Sequence, residues 1–172
     1  AGATAASCKY TGTSDISQSS SGEEHEHGRM GTIGEVDHQA NGFDPIDLLT
    51  DWDYGKVSNL PGGQVLREYN IVAVDKELEI APGVFFPAWT YNGRVPGPSL
   101  RCVEGERIIV NFINAGTHPH TIHFHGIHSA AMDGVPGAGD GMINPGERTI
   151  YEFDAAPFGC HLYHCHAIPL KR

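Results

Sequence analysis

The sequence predicts an all-β protein, a Greek-key sandwich preceded by an extended N-terminal segment with one short helix. Two observations carry this expectation. The 22 Gly and 11 Pro of the 172 residues are spread along the chain, which favours many short strands and turns over long helices. From Val65 onward, strand-like stretches alternate with turn signals at short intervals, as they do in antiparallel sandwiches.

Residues 1 to about 30 include SQSSSGEEHEHG and hold too little apolar material to offset the entropy of ordering them. A mobile or draped tail is expected there. His25 and His27 flank Glu26 within it, a pattern that belongs to solvated surface more often than to a metal chelate. Next, GFDPIDLLTDW reads as a short helix near residues 44–50, with Asp44 capping its first amides and Pro45 at the first helical position. VLREYNIVAV, LEIAP, VFFPAWTY and ERIIVNF follow as strands, separated by NGRVPGP and VEGE turns. NPGERTIYEF repeats the same turn-then-strand pattern, so residues 63–172 read as one antiparallel Greek-key domain and residues 1–62 as its extension.

A formal charge of −10, from 11 Lys and Arg against 21 Asp and Glu, argues against nucleic acid and anionic membrane surfaces as partners. No run reaches the roughly eighteen apolar residues of a membrane helix, and AGATAASCKY lacks the regions of a signal peptide. The four cysteines Cys8, Cys102, Cys160 and Cys165 are too few for a disulfide scaffold; a Cys102–Cys160 link stays open.

Eight of the 11 histidines lie between His118 and His166, in HPHTIHFHGIH and CHLYHCH. Packed imidazoles repel one another when protonated, so such clustering needs a reason, and metal is the strongest one. In a strand, residues two apart share a face. His123 and His125 are therefore expected to share a face of their strand, and His164 and His166 to project together from theirs, with Cys165 between them pointing to the other side. One short segment then serves two sites. A thiolate with imidazoles favours copper over magnesium or calcium, with zinc the main rival; structural zinc sites use paired cysteines that Cys160 and Cys165 do not convincingly supply.

In these residues the chain resembles the plastocyanin-like (cupredoxin) domains of multicopper oxidases, most of all the type 1 copper-bearing first domain of two-domain enzymes. The resemblance runs from about Tyr69 to Arg172 and includes NGRVPGP, HTIHFHG, Asp133-Gly134, INPGERTIYEF and LYHCH in the family's order. It implies that His120 and Cys165 bind a type 1 copper. It implies too that His123, His125, His164 and His166 are one domain's share of a trinuclear cluster of type 2 and type 3 copper. Electrons from a reducing substrate would pass through the type 1 site to that cluster, where dioxygen is reduced to water. A second cupredoxin domain must supply the remaining ligands. The resemblance further implies a homotrimer and an extracytoplasmic location, periplasmic or secreted.

The chain departs from the family pattern after Cys165. The second type 1 histidine and the axial Met or Leu should follow within several residues, and neither appears before Arg172, so a piece cut before its last strand is the expectation. His118, His128 and His161 read as supporting residues, Met132 and Met142 as packing. Cys160 reads as a disulfide partner or an inert thiol, and Asp133 divides evenly between proton delivery and a simple turn. Two other functions compete. A copper nitrite reductase would carry an aspartate at position 123 and a non-ligand at 166; an electron carrier would leave the four paired histidines unexplained.

Overall fold

A computed structural model of the chain describes residues 33–139 and 141–167. The expected tail, with Cys8, His25 and His27, and the last residues through Lys171 and Arg172 lie outside these. Among the described residues the architecture is almost entirely strands, and no helix is long and apolar enough to cross a membrane.

The main sheet has five strands. Its centre is β3 (Val65–Ala81), which pairs in parallel with β6 (Arg107–Asn114); β6 pairs antiparallel with β8 (Arg148–Asp154). On its other edge β3 takes β2 (Lys56–Asn59) along its first half and β4 (Val84–Tyr91) along its second. Two short pairs complete the strands: β1 (Trp52–Asp53) with β5 (Ser99–Leu100), and β7 (His123–Phe124) with β9 (Tyr163–His164).

Alternation decides which face is buried. Tyr69, Ile71 and Ala73 of β3, Ile108, Val110 and Phe112 of β6, and Tyr151 and Phe153 of β8 form one core with Ile122, Phe124 and Ile143. Past Asp75 the buried position of β3 moves to the opposite face at Leu78, beside the place where Asn41 exchanges hydrogen bonds with the Glu79 backbone. The turns follow from their residues. In Val103-Glu104-Gly105-Glu106 and Asn144-Pro145-Gly146-Glu147 the fourth amide donates to the first carbonyl, and glycine takes the positive φ in third place, as a type II turn requires.

The N-terminal segment differs from the single helix expected. Residues 44–50 make only a 3-10 turn, Asp47–Leu49, with Asp44 Oδ1 accepting from the Ile46 amide. A four-residue helix, α1 (His38–Asn41), precedes it, capped by Asp37 and closed by Gly42 in the left-handed region. Strand pairing also draws in residues ahead of Val65, through β2. Cys102 and Cys160 are free thiols, so the link between them that the sequence left open does not form.

Candidate metal centre

Asn114, at the end of β6, organises the approach to the first site. It is fully buried; its Nδ2 donates to the carbonyls of His118 at 2.7 Å and Ile143 at 2.8 Å, and its Oδ1 accepts from the Gly116 amide at 2.9 Å. The turn held this way delivers His120, which pairs through both backbone groups with Ile143. His120 is 2% exposed, and its Nδ1 lies 3.5 Å from Cys165 Sγ. The Trp89 ring packs against that of His120 in a T-shaped arrangement, with ring centroids 5.3 Å apart. Burial opposes ionisation of Cys165, but the hydrogen bond from His120 and the amides of Thr121 and Ala167 together outweigh it and hold the thiol down at about 7.

The second site rests on the pairing of β7 with β9. Their register sets His123 directly opposite His164, as a cross-strand pair whose side chains stand on one face. Phe124, between His123 and His125, points the other way into the core. His125 Nε2 lies 2.8 Å from His164 Nε2. One ligand atom from each of His123, His125 and His164 falls within 4.8 Å of the other two. His166 is not in that triad, but its ring lies 5.4 Å from that of His123 and 5.6 Å from that of His164. Desolvation, and then the charge of the neighbouring imidazoles, holds His125 below the usual histidine range.

The outer nitrogens of two of these rings are occupied. His123 Nδ1 donates to the Asp133 carbonyl at 2.7 Å, and His164 Nδ1 to the Cys165 carbonyl at 2.9 Å. That leaves the Nε2 lone pairs as donors, the arrangement by which ligating histidines are oriented. Gly134 makes the first contact possible: its φ is +63°, and a Cβ there would fall 2.0 Å from the Ile122 carbonyl oxygen. The Asp133 carboxylate reaches both His123 Nδ1, at 3.2 Å, and His128 Nε2, at 3.5 Å.

Three imidazoles with converging nitrogens, beside a thiol facing a fourth, are a donor set that suits copper. The structure also brings in residues that sequence reading did not single out. The Thr121 hydroxyl accepts from the His166 amide at 2.9 Å, and the Tyr151 hydroxyl accepts from the Ile122 amide at 2.9 Å. Neither carries a sequence signal, since a Thr between histidines and a Tyr in a strand are both ordinary. His161 touches the carbonyls of His125 and Pro157, and Met132 sulfur meets the Glu152 amide, so neither approaches the thiol as a ligand.

Comparison with known proteins gives consistent matches. A family model described as multicopper oxidase matches residues 74–170. A crystal structure of a multicopper oxidase is 58% identical, with a TM-score of 0.76, over 79% of this chain and 48% of that one. The blue copper oxidase of Nitrosomonas europaea is 37% identical, with a TM-score of 0.57, over 59% of this chain and 33% of that one. Among curated proteins, the copper-containing nitrite reductase of Cereibacter sphaeroides is 34% identical over 60% of this chain and 27% of its own length. Laccase-2 of Botryotinia fuckeliana is 37% identical over 62% of this chain and 19% of its own. The chain thus spans less than a third of these curated relatives.

Proposed function

The chain belongs to the multicopper oxidase family, with a cupredoxin fold, and from that premise we propose that it is the copper-bearing domain of a dioxygen-reducing oxidase. The observation that carries this reading is the β7–β9 pairing, which gathers His123, His125 and His164 around one point while Cys165 turns to His120. In this reading His120 and Cys165 hold a type 1 copper, and His123, His125, His164 and His166 are one half of a trinuclear site. Bound there, copper supplies one-electron transfer at the first site and four-electron reduction of dioxygen to water at the second.

The chain's own residues do the rest. Cys165 is joined through the backbone to His164 and His166, so a single covalent path links the two sites. The Asp133 and Cys165 carbonyls hold His123 and His164 by Nδ1, so that each Nε2 keeps its lone pair. The Asp133 carboxylate stands within reach of His123 and His128, where it can relay protons that dioxygen reduction consumes. The remaining ligands come from a second cupredoxin domain, in keeping with the length of the relatives, and the assembly is a homotrimer in an extracytoplasmic compartment. An electron-donating substrate reduces the type 1 site.

The nitrite reductase relative raises a second reading, with a single catalytic copper. That chemistry leaves imidazoles of the His123, His125, His164 and His166 group without a task. The test is His164→Ala in the copper-loaded, full-length protein. Oxygen reduction should be abolished with the blue colour largely retained; loss of colour with full turnover would sink the assignment.

A further inference from the structure

Beyond Ala73, β3 leaves β6 and pairs with β4 alone among the described residues, as a two-stranded ribbon. Its register sets Asp75 opposite Trp89, Glu77 opposite Pro87 and Glu79 opposite Phe85. Directly opposite residues of an antiparallel pair share a face, and so do residues two apart in one strand. One face of the ribbon therefore carries a row of three carboxylates beside a row of three apolar side chains. Phe85 is 59% exposed and Trp89 37%, and Pro87, Asp75 and Glu77 are exposed beside them. Single apolar side chains at a surface are ordinary; a contiguous row marks a contact surface.

The charge of this face has one sign. Lys76, the one cation of residues 74–91, lies on the opposite face, where Nζ donates to the carbonyls of Asn41 and Gly93. The Asp37 amide donates to Glu79 Oε2 at 2.7 Å, which places a fourth acidic residue at the far end. At the near end, Asp75 is fixed by the amide and hydroxyl of Thr117, which donate to Oδ2 at 2.8 and 2.6 Å. There the Trp89 ring meets those of His118, at 4.8 Å, and His120, at 5.3 Å. His120 is itself buried, so Trp89 carries its ring contact out to the surface. The imidazoles that await a second domain project from the opposite side of their strand to Cys165, so that domain and the Trp89 end of the ribbon lie on different sides of the segment.

We propose that this face of β3 and β4 docks the electron donor, and that the donor is a lysine-rich redox protein which passes electrons singly across Trp89 to the type 1 copper. The inference rests on the assignment of His120 and Cys165 to that copper. Each transfer oxidises the partner by one electron and takes Cu(II) to Cu(I), with no bond made or broken. Charge selects the partner: the acidic row attracts a basic surface and repels an acidic one, chiefly by raising the association rate. The apolar row supplies contact that excludes water beside Trp89, over the small area usual for transient electron-transfer complexes.

The probe is mitochondrial cytochrome c, a lysine-rich one-electron protein, and the first readout needs no copper. Titrated into copper-free, full-length protein at about 10 mM salt, where the Debye length is about 30 Å, it should shift the ¹⁵N–H signal of the Trp89 indole. Glu77→Lys should weaken that binding about threefold to tenfold, whereas Glu152→Lys, the same charge change on the outer face of β8, should weaken it less than about twofold. No binding, no change at Trp89, or equal weakening in the two variants overturns the proposal. In copper-loaded protein, reduced cytochrome c should be oxidised at a rate that falls about tenfold between about 10 and 200 mM salt, and about threefold or more in Glu77→Lys. A rate insensitive to both changes also overturns it. Copper-loaded protein without a blue band would instead sink the type 1 assignment, and the copper-free titration would still decide whether the ribbon face docks a basic protein.

Discussion

Asn114→Ala tests how the fold aims His120. The substitution strips the donors from the carbonyls of His118 and Ile143 and the acceptor from the Gly116 amide, in a side chain that is 0% exposed. Each buried polar group left unpaired costs about 1–3 kcal/mol, and partial relaxation of the turn brings the expected loss to about 3–5 kcal/mol. That is comparable with the whole stability of a marginal domain, about 5–15 kcal/mol. Asn114→Asp keeps the acceptor but removes both donors and places a carboxylate beside two carbonyls, so it should be no milder. The assay is urea unfolding of copper-free, full-length protein, followed by copper addition and measurement of the blue absorbance. Both variants should unfold at lower urea and regain little colour. A loss under about 1 kcal/mol with normal colour would refute the reasoning that this network delivers His120 to Cys165.

Other consequences follow from neighbouring contacts. Gly134→Ala places a Cβ at positive φ against the Ile122 carbonyl, so it should cost about 2–4 kcal/mol in urea unfolding and weaken copper uptake by freeing His123. Wild-type copper binding in that variant would contradict the role given to the Asp133 carbonyl. Thr121→Val keeps the shape but loses the bond to the His166 amide; calorimetry should show a loss of about 1–2 kcal/mol with the blue band intact. In copper-free protein the Cys165 thiol, held at about 7 and thus below the ordinary 9.0, contributes stability that is present above pH 9 and is lost as pH falls through 7. Peptide-resolved alkylation should accordingly label Cys165 with a midpoint near pH 7, ahead of Cys102, whose thiol burial pushes up. Equal rates at the two cysteines would overturn that assignment.

How much of this could be read in advance depends on the range of the interactions. The strands of the sheet were legible because Tyr69, Ile71 and Ala73, or Ile108, Val110 and Phe112, recur at a spacing of two within β-branched and aromatic runs bounded by turn residues. Turns at Gly105 and Gly146 were legible because φ > 0 selects glycine locally. The N-terminal segment was less so: Asp44-Pro45 signals a helix start, but only one 3-10 turn follows before Trp52 enters β1. The histidines announced a metal through their density and their spacing of two. What spacing could not reveal is the partner strand. That His123 stands opposite His164, that Cys165 meets His120, and that Cys102 and Cys160 stay apart are non-local facts fixed by the packing of distant segments. Supporting residues such as Thr121, bonded to the His166 amide, and Asn114, through its bond to the Ile143 carbonyl, are invisible for a related reason: these hydrogen bonds reach the backbone of segments they do not adjoin in sequence.

The central claim is that imidazoles from two strands hold magnetically coupled copper. It is tested most directly by comparing total copper in the copper-loaded, full-length protein with the copper visible by electron paramagnetic resonance. A substantial silent share is predicted, because a coupled pair gives no signal. If all the bound copper is visible, there is no coupled site, and the dioxygen-reducing role of His123, His125, His164 and His166 is contradicted.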